Sequence, residues 1–496
     1  GWHSSFRGEQ RNIGQARRQD RAGAFLFAMT SRLLAFAALL PALSARGGAP
    51  ELDAFFEKEW RHTMDRQPTW AASLGRADAS PRWPDVTPAA HEADAAHLRA
   101  ALMELESLLA TTADLDDDDR LSAELFRFQA EQSLEQHDAS LHLLAINPRS
   151  GLHLADELAA YLPFKETAHF DFWLNLLRDF PRHADATIAL LREGIRQKMT
   201  QPREVMERVR DPLAKQLPRN PQDSPFYAPF RKLPLTLPEA ERQRLTREAL
   251  GLIRDGVLPA YRRFEQFFIN DYLPACLERA GAWQWPDGRE KYSLQARHHT
   301  TTRLTPDEIH ELGLAEVKRI LGEITALQDK LKFRGSQEDF FNRLRTHPSF
   351  FYSSGSQLLG GYEDLMEKIE PLLPRLFNTL PTTPVTVESV PPKAAPHTSA
   401  AYYRRPAENG SRPGAFTVNL HAPHMRPKWE MMALTLHESI PGHHLQIALA
   451  QEQRGLPEFR RHLNITAYIE GWALYAEFLG HELGLYRDPY DHLGQL

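Results

Sequence analysis

Beyond residue 50, window after window of this chain repeats its apolar residues at the spacing of one helix face, and that period predicts a mostly α-helical protein. Residues 51–66 carry Leu52, Phe55, Phe56 and Trp60 at that spacing, and the pattern continues through 92–110, 120–146, 167–179, 182–210, 238–281, 305–332, 336–345 and 361–377. The acidic run 116–119 stands directly before Leu121, where negative charge suits the positive end of a helix dipole. Proline marks the expected seams. The stretch 212–237 holds Pro212, Pro218, Pro221, Pro225, Pro229 and Pro234, too many for a helix, and reads as an ordered linker. Strand periodicity is confined to 380–420. There Val385, Val387 and Val390 offer one short strand, and 400–404 with 415–420 flank Asn409-Gly410 and Pro413-Gly414 as a β-hairpin. The expected organisation is a helical lobe over 46–211, the linker over 212–237, and a catalytic lobe with the hairpin over 238–496.

Composition excludes several classes. With 42% hydrophobic and 25% charged residues the chain has the make-up of a soluble globular protein. Its net charge of −6 argues against nucleic acid as a partner, since a phosphate binder needs a basic face. No apolar run reaches the roughly 18 residues of a membrane helix, so no permanent span is expected. Residues 1–28 are polar and arginine-rich; Met29, Arg32, the apolar run 33–40, Pro41 and the small residues Ala42, Ser44 and Ala45 then follow the order of a secretory signal peptide. Residues 1–45 are therefore expected to be an upstream extension and a signal peptide (about 29–45), with translation starting at Met29 and the mature protein periplasmic or secreted. Cys276 is the only cysteine, without a disulfide partner, and no cysteine follows the signal run to carry a lipid; it reads as a small core residue.

The chemistry-bearing segment runs Leu434-Thr435-Leu436-His437-Glu438-Ser439-Ile440-Pro441-Gly442-His443-His444. Met432, Leu436 and Ile440 recur on one helix face, which places His437 and Glu438 inside a helix. A His-Glu pair followed by another His is how a helix offers two imidazoles to zinc and a carboxylate to water. The spacing departs from the usual four residues. In a straight helix, six residues turn a side chain about 120° away and carry it ~9 Å along the axis, too far to share an ion. Pro441 removes a donor and clashes with the carbonyl of residue 437, and Gly442 loosens the turn. The helix must bulge or break there, bringing His443, or alternatively His444, beside His437. A third ligand is expected from the helix over 464–480, whose apolar stripe leaves Glu470 and Glu477 on the opposite side, two turns apart. Glu470 is the expected ligand, and Glu477 would either orient a ligand imidazole or simply face water. Glu438 is the expected general base, and Tyr475, Tyr402 or Tyr403 could steady a developing oxyanion, with Tyr475 chosen as the catalytic partner. His421 and His424, split by Pro423, form a weaker metal-binding pair. The strand 415–420 could pair with an extended peptide along its edge.

His-Glu-Ser-Ile-Pro-Gly-His-His-Leu-Gln, followed by Glu-Gly-Trp-Ala-Leu-Tyr-Ala-Glu, resembles the bacterial family named domain of unknown function 885. The likeness extends to Leu304-Thr305-Pro306-Asp307-Glu308-Ile309-His310 with Gly313, and to Gly410-Ser411-Arg412-Pro413-Gly414 before Asn419, covering nearly everything from about residue 51. That family is mostly α-helical and distantly similar to zinc peptidases of the thermostable carboxypeptidase and thimet oligopeptidase types. The resemblance implies His437 and His443 as imidazole ligands, Glu470 as the third ligand and Glu438 as the base. Family members continue beyond the position of Leu496 with further helices, so the chain is expected to be C-terminally truncated.

The expected protein is therefore mostly α, a large multi-helix zincin-like architecture with a deep cleft and a small β-hairpin or sheet beside the metal. Its expected activity is zinc-dependent hydrolysis of short peptides with Zn2+ as cofactor. An amidase or esterase acting on a non-peptide substrate is the first alternative, and a non-catalytic extracytoplasmic peptide-binding protein the second.

Overall fold

The computed structural model describes residues 49–392 and 395–496. The expected upstream extension and signal peptide fall outside the described residues. Helix α1 (Pro50–Arg66) opens with Pro50 in its first turn, where a missing donor costs nothing, and buries Leu52, Phe55, Phe56, Trp60 and Met64. Helix α2 (Pro88–Thr111) is capped by Thr87, whose side chain accepts from the Ala90 amide. The acidic run does start helix α3 (Asp117–Asp138): Asp116 accepts from the Asp119 amide at 2.7 Å and Asp119 returns the bond, a capping box. Asp119 also accepts from the Ala49 amide at 3.2 Å, tying the start of α1 to the start of α3.

Helix α4 (Thr167–Arg196) corrects one expectation. It runs unbroken through Pro181, where two helices were expected. An interior proline costs about 3 kcal/mol. Phe170, Trp173, Leu174, Leu177, Phe180, Ala184, Ile188 and Leu191 are buried on both sides of it, at roughly 1.5–3 kcal/mol for each large side chain. Burial wins. The helix expected over 238–281 is subdivided into α5 (Glu239–Leu252) and α6 (Leu258–Phe267), each followed by a widened turn, Ile253–Val257 and Phe268–Tyr272. Each widened turn precedes a proline, Pro259 or Pro274, whose ring a regular turn would meet head-on.

The proline-rich stretch expected as a linker packs as core. Within it, residues Pro225–Lys232 form a 3₁₀ helix that buries Phe226, Tyr227 and Phe230 in the same apolar cluster as α4, α5 and α6. The Trp173 indole donates to the Phe226 carbonyl at 3.0 Å, and the two rings stack at 5.7 Å. The described residues from 49 onward accordingly form one compact unit, and the apolar cluster runs across 212–237 without a break. A second apolar cluster joins α1, α2 and α3 with Phe459.

Helix α7 (Gly288–Thr300), polar along most of its length, was not legible from apolar spacing. Helix α8 (Pro306–Lys330) starts on a Thr305–Glu308 capping box, and α9 (Gln337–Thr346) and α10 (Gly355–Ile369) lead to the sheet. Strands β1 (Val385–Ser389), β2 (Ala401–Arg404) and β3 (Gly414–Val418) pair in the order β1-β3-β2, with β1 parallel and β2 antiparallel to β3. The hairpin is present. However, β3 is the central strand and both of its edges are paired, so it is not the free edge expected to take a peptide. The longer helices that follow are α11 (Lys428–Glu438), α12 (His443–Glu452), α13 (Thr466–Glu482) and α14 (Pro489–Gln495). Helix α11 sits between two apolar groups, Met431 against Phe416 and Val418 of the sheet, Met432 and Leu436 against Ile369, Leu373 and Leu483. Among the described residues, no helix is long and apolar enough to cross a membrane.

Replacing Phe226 by alanine should cost about 3–5 kcal/mol of unfolding free energy in a urea titration, as for a buried core ring. A loss below about 1 kcal/mol would mean that the stretch behaves as a surface linker.

Candidate metal centre

The site is built on a helix that stops and restarts. Helix α11 ends at Glu438; Ser439 (φ −119°, ψ −103°) and Gly442 (φ −76°, ψ −128°) turn the chain, and α12 begins at His443. The Ile440–Pro441 peptide bond is cis. The freed backbone groups find partners: the Ser439 hydroxyl donates to the Thr435 carbonyl at 2.9 Å, the His444 amide to the Ser439 carbonyl at 2.9 Å, and the Trp472 indole to the Pro441 carbonyl at 2.8 Å. A Cβ at position 442 would lie 2.0 Å from the His437 carbonyl oxygen and 2.3 Å from that of Leu436. Only glycine lets the chain fold back this closely.

The fold-back brings His443 beside His437, their ring centroids 4.8 Å apart and nearly perpendicular. Helix α13 supplies the third group. Its Gly480 packs directly on Leu436, where a Cβ would stand 2.8 Å from the leucine side chain. The close crossing lets Glu470 and Glu477, about two turns apart and so on one face, reach α11. Glu470 Oε2 lies 3.5 Å from His437 Nε2 and 3.7 Å from His443 Nε2. Among the described residues, His437, His443 and Glu470 are the one group of potential ligands whose atoms all fall within 4.8 Å of one another. Zinc–ligand bonds of 2.0–2.2 Å in tetrahedral array set ligand atoms about 3.4 Å apart. The two carboxylate–imidazole separations, 3.5 and 3.7 Å, are close to that value.

The surroundings suit the same use. Glu477 Oε1 accepts from His437 Nδ1 at 2.8 Å, which leaves Nε2 as the free lone pair. Burial opposes charge on His437, but the Glu477 hydrogen bond and the neighbouring Glu438 and Glu470 outweigh it and raise its pKa. His443 behaves oppositely: burial, with the positive charges of His437 and Arg405, lowers it to about 4, so its ring is neutral near pH 7. Burial raises Glu438, against the pull of His437 and of a hydrogen bond from the Tyr403 amide. A raised carboxylate beside a ligand cluster is what a general base requires.

The structure separates the histidine candidates. His444 Nε2 donates to the Thr383 carbonyl at 3.0 Å, which can only accept, so Nδ1 is left to accept from the Tyr403 hydroxyl at 3.0 Å. Both nitrogens are committed, and His444 pins α12 to the sheet. The sheet itself must come close: a Cβ on Gly414 would stand 2.7 Å from His444 Nδ1. Tyr475, expected as a catalytic partner, is not brought to the cluster. It lies between Trp472 and Phe478, with ring centroids at 6.1 and 6.4 Å. Five residues along a helix from Glu470 place it about 140° around the axis. Tyr402 points to the opposite face of the sheet, towards Tyr161 and Glu157. Tyr403 is the tyrosine on the metal side, its ring 6.4 Å from His443, with its hydroxyl taken by His444. His421 and His424 are exposed and outside the cluster. Arg405, which faces His443 electrostatically, was not foreseen; its one sequence signal is its position two residues after Tyr403, on the same face of an extended strand.

The model of the family described as "Bacterial protein of unknown function (DUF885)" matches residues 68–496. A solved protein of Colwellia psychrerythraea is 23% identical and superimposes with a TM-score of 0.82, covering 90% of this chain and 80% of that one. Another, of unknown function, from Shewanella oneidensis is 15% identical with a TM-score of 0.59 over the same shares. Both are described as "putative lipoprotein". At these identities the likeness is one of fold. No curated protein matches the chain.

Gly442→Ala should destabilise the protein by about 3 kcal/mol or more, because the backbone of His437 must move. Gly455→Ala, where nothing lies within 4 Å of the added carbon, is the control and should stay within about 0.5 kcal/mol. Equal effects in chemical denaturation would refute the close-approach argument.

Proposed function

Since the chain belongs to the bacterial DUF885 family, whose function is unknown, we propose that it is a zinc-dependent hydrolase of the metallopeptidase type, acting on amide bonds of short peptides. The observation that carries this reading is the convergence of His437, His443 and Glu470 from three helices to within 4.8 Å of one another, with the half-buried Glu438 carboxylate on the residue after the first ligand. In this reading the helical architecture is zincin-like and the substrate occupies a cleft over the cluster. When bound, zinc would supply Lewis-acid polarisation and a water acidic enough to ionise near neutral pH.

The chain's own residues supply the rest. Glu438, held by the Tyr403 amide and with its pKa raised by burial, takes the proton from water and passes it to the leaving amine. Glu477 fixes the His437 ring and keeps its proton on Nδ1. Tyr403 and His444 lock the sheet to α12, so that Glu438 and His443 hold their relative positions. The description of both solved neighbours as lipoproteins supports an extracytoplasmic location, in agreement with the signal peptide expected over about 29–45.

The purified protein should contain about one zinc per chain and digest a mixture of short peptides, with chelator stopping the digestion. Glu438→Gln should retain the metal and lose about 10²–10⁴ of turnover. Glu477→Gln should weaken zinc affinity about 10–100-fold in competition with a chelator. Protein that takes up no zinc, or turnover indifferent to Glu438→Gln, would refute the proposal.

A further inference from the structure

Three of the arginines around the β2–β3 hairpin have evident partners. Arg404 pairs with Glu388 at 2.6 Å. Arg412 donates to the Arg405 and Ser73 carbonyls and lies 5.2 Å over the Tyr161 ring. Arg461 is bound between Glu408, Glu458 and the Gln451 carbonyl. Arg405 stands apart. Its guanidinium makes no hydrogen bond and no ion pair with any described residue, although the residue is half-buried. The strand alternation explains where it goes. Arg404 and Tyr402 point to the Glu388 side of the sheet; Tyr403 and Arg405 point to the other side, where Tyr403 meets His443 and His444.

Arg405 therefore faces the metal side of the sheet, and His443 and Tyr403 are the groups that register its charge. Glu438 does not neutralise it: the charged neighbours of that carboxylate are His437, Glu470 and Glu477. A guanidinium stays protonated even when partly buried, and the Arg405 nitrogens are not among the buried atoms left without a partner, so they reach water. A charged fork with no protein partner and an open approach on the metal side is free to take a ligand of opposite charge. Its planar fork of N–H donors matches a carboxylate in two parallel bonds. One guanidinium offers a single fork and a single positive charge, which matches the monoanion of a carboxylate.

We propose that Arg405 is the substrate-recognition residue of this site and takes a carboxylate of the substrate next to the bond held at the His437–His443–Glu470 cluster. The carboxylate comes from the free C-terminus of a peptide or from an acidic side chain near the bond. The proposal deepens the hydrolase reading, and rests on it for the reaction alone; binding of the carboxylate does not require turnover.

The test is calorimetric binding to zinc-loaded protein carrying Glu438→Gln, so that ligands stay intact. Three probes are compared: N-acetyl-trialanine as the free acid, the same peptide as its C-terminal amide, and N-acetyl-Ala-Glu-Ala amide. The free acid should bind at least about 10-fold tighter than the plain amide. Recovery of that affinity by the glutamate-bearing amide identifies a side-chain carboxylate as the source; no recovery identifies the C-terminus. Adding Arg405→Met should equalise acid and amide, and Arg405→Lys should keep part of the difference, with zinc content as the check on folding. Equal affinities of acid and amide in the Glu438→Gln protein overturn the proposal without recourse to an Arg405 variant, as does a preference that survives Arg405→Met. A carboxylate preference that depends on Arg405 in a protein that hydrolyses nothing sustains the proposal and removes the hydrolase reading. Glu438-dependent hydrolysis with no carboxylate preference does the reverse.

Discussion

The backbone around position 442 passes so close to the end of α11 that a single added carbon would sit 2.0 Å from the His437 carbonyl. Two consequences come from that approach. His437 and His443, six residues apart, share one face of one site, which no uninterrupted helix permits. The axis of α12 is also redirected, so that His444 turns towards the sheet and its two nitrogens bond Thr383 and Tyr403. The same glycine thus converts two adjacent histidines into one ligand candidate and one structural clamp.

The three-stranded sheet is small, yet it sets the electrostatics of the cluster. Central β3 presses Phe416 and Val418 on Met431 of α11, and this contact positions β2 alongside the broken helix. From β2 come a backbone amide for Glu438, an aromatic ring beside His443 and, one step further, the guanidinium of Arg405. On the opposite flank, the Gly480–Leu436 crossing admits Glu477 to His437. Positive charge thus lies on the His443 side and negative charge on the His437 side, which is why burial dominates one imidazole and carboxylates dominate the other.

Much of this was legible in the residues because it depends on local periods. The helical spacing of Leu52, Phe55, Phe56 and Trp60 and the Asp116–Asp119 helix start each depend on a few neighbouring residues. So does the need for a break at Pro441-Gly442, and so does the common face of Glu470 and Glu477. Features decided by distant partners were not legible. The choice of His443 over His444 depends on the Thr383 carbonyl, 61 residues away. The continuity of α4 through Pro181 depends on rings from 225–232 and α6 that bury its flanks. The central place of β3 depends on β1 pairing in parallel across a connection that carries no periodic signal. Tyr475 was chosen among three tyrosines with nothing local to separate them, and packing placed it with Trp472 and Phe478 instead.

The three members of the cluster are unequally covered. The His437 and His443 side chains keep 18% and 9% of their surface open, whereas Glu470 keeps 53%. The imidazoles are gripped by packing, and His437 also by Glu477; the carboxylate stands at the water boundary with freedom to swing. Any cation held between them would enter and leave past that one movable arm, with the two rings acting as a fixed seat. The rate of exchange would then depend chiefly on position 470, while the affinity would draw on all three positions.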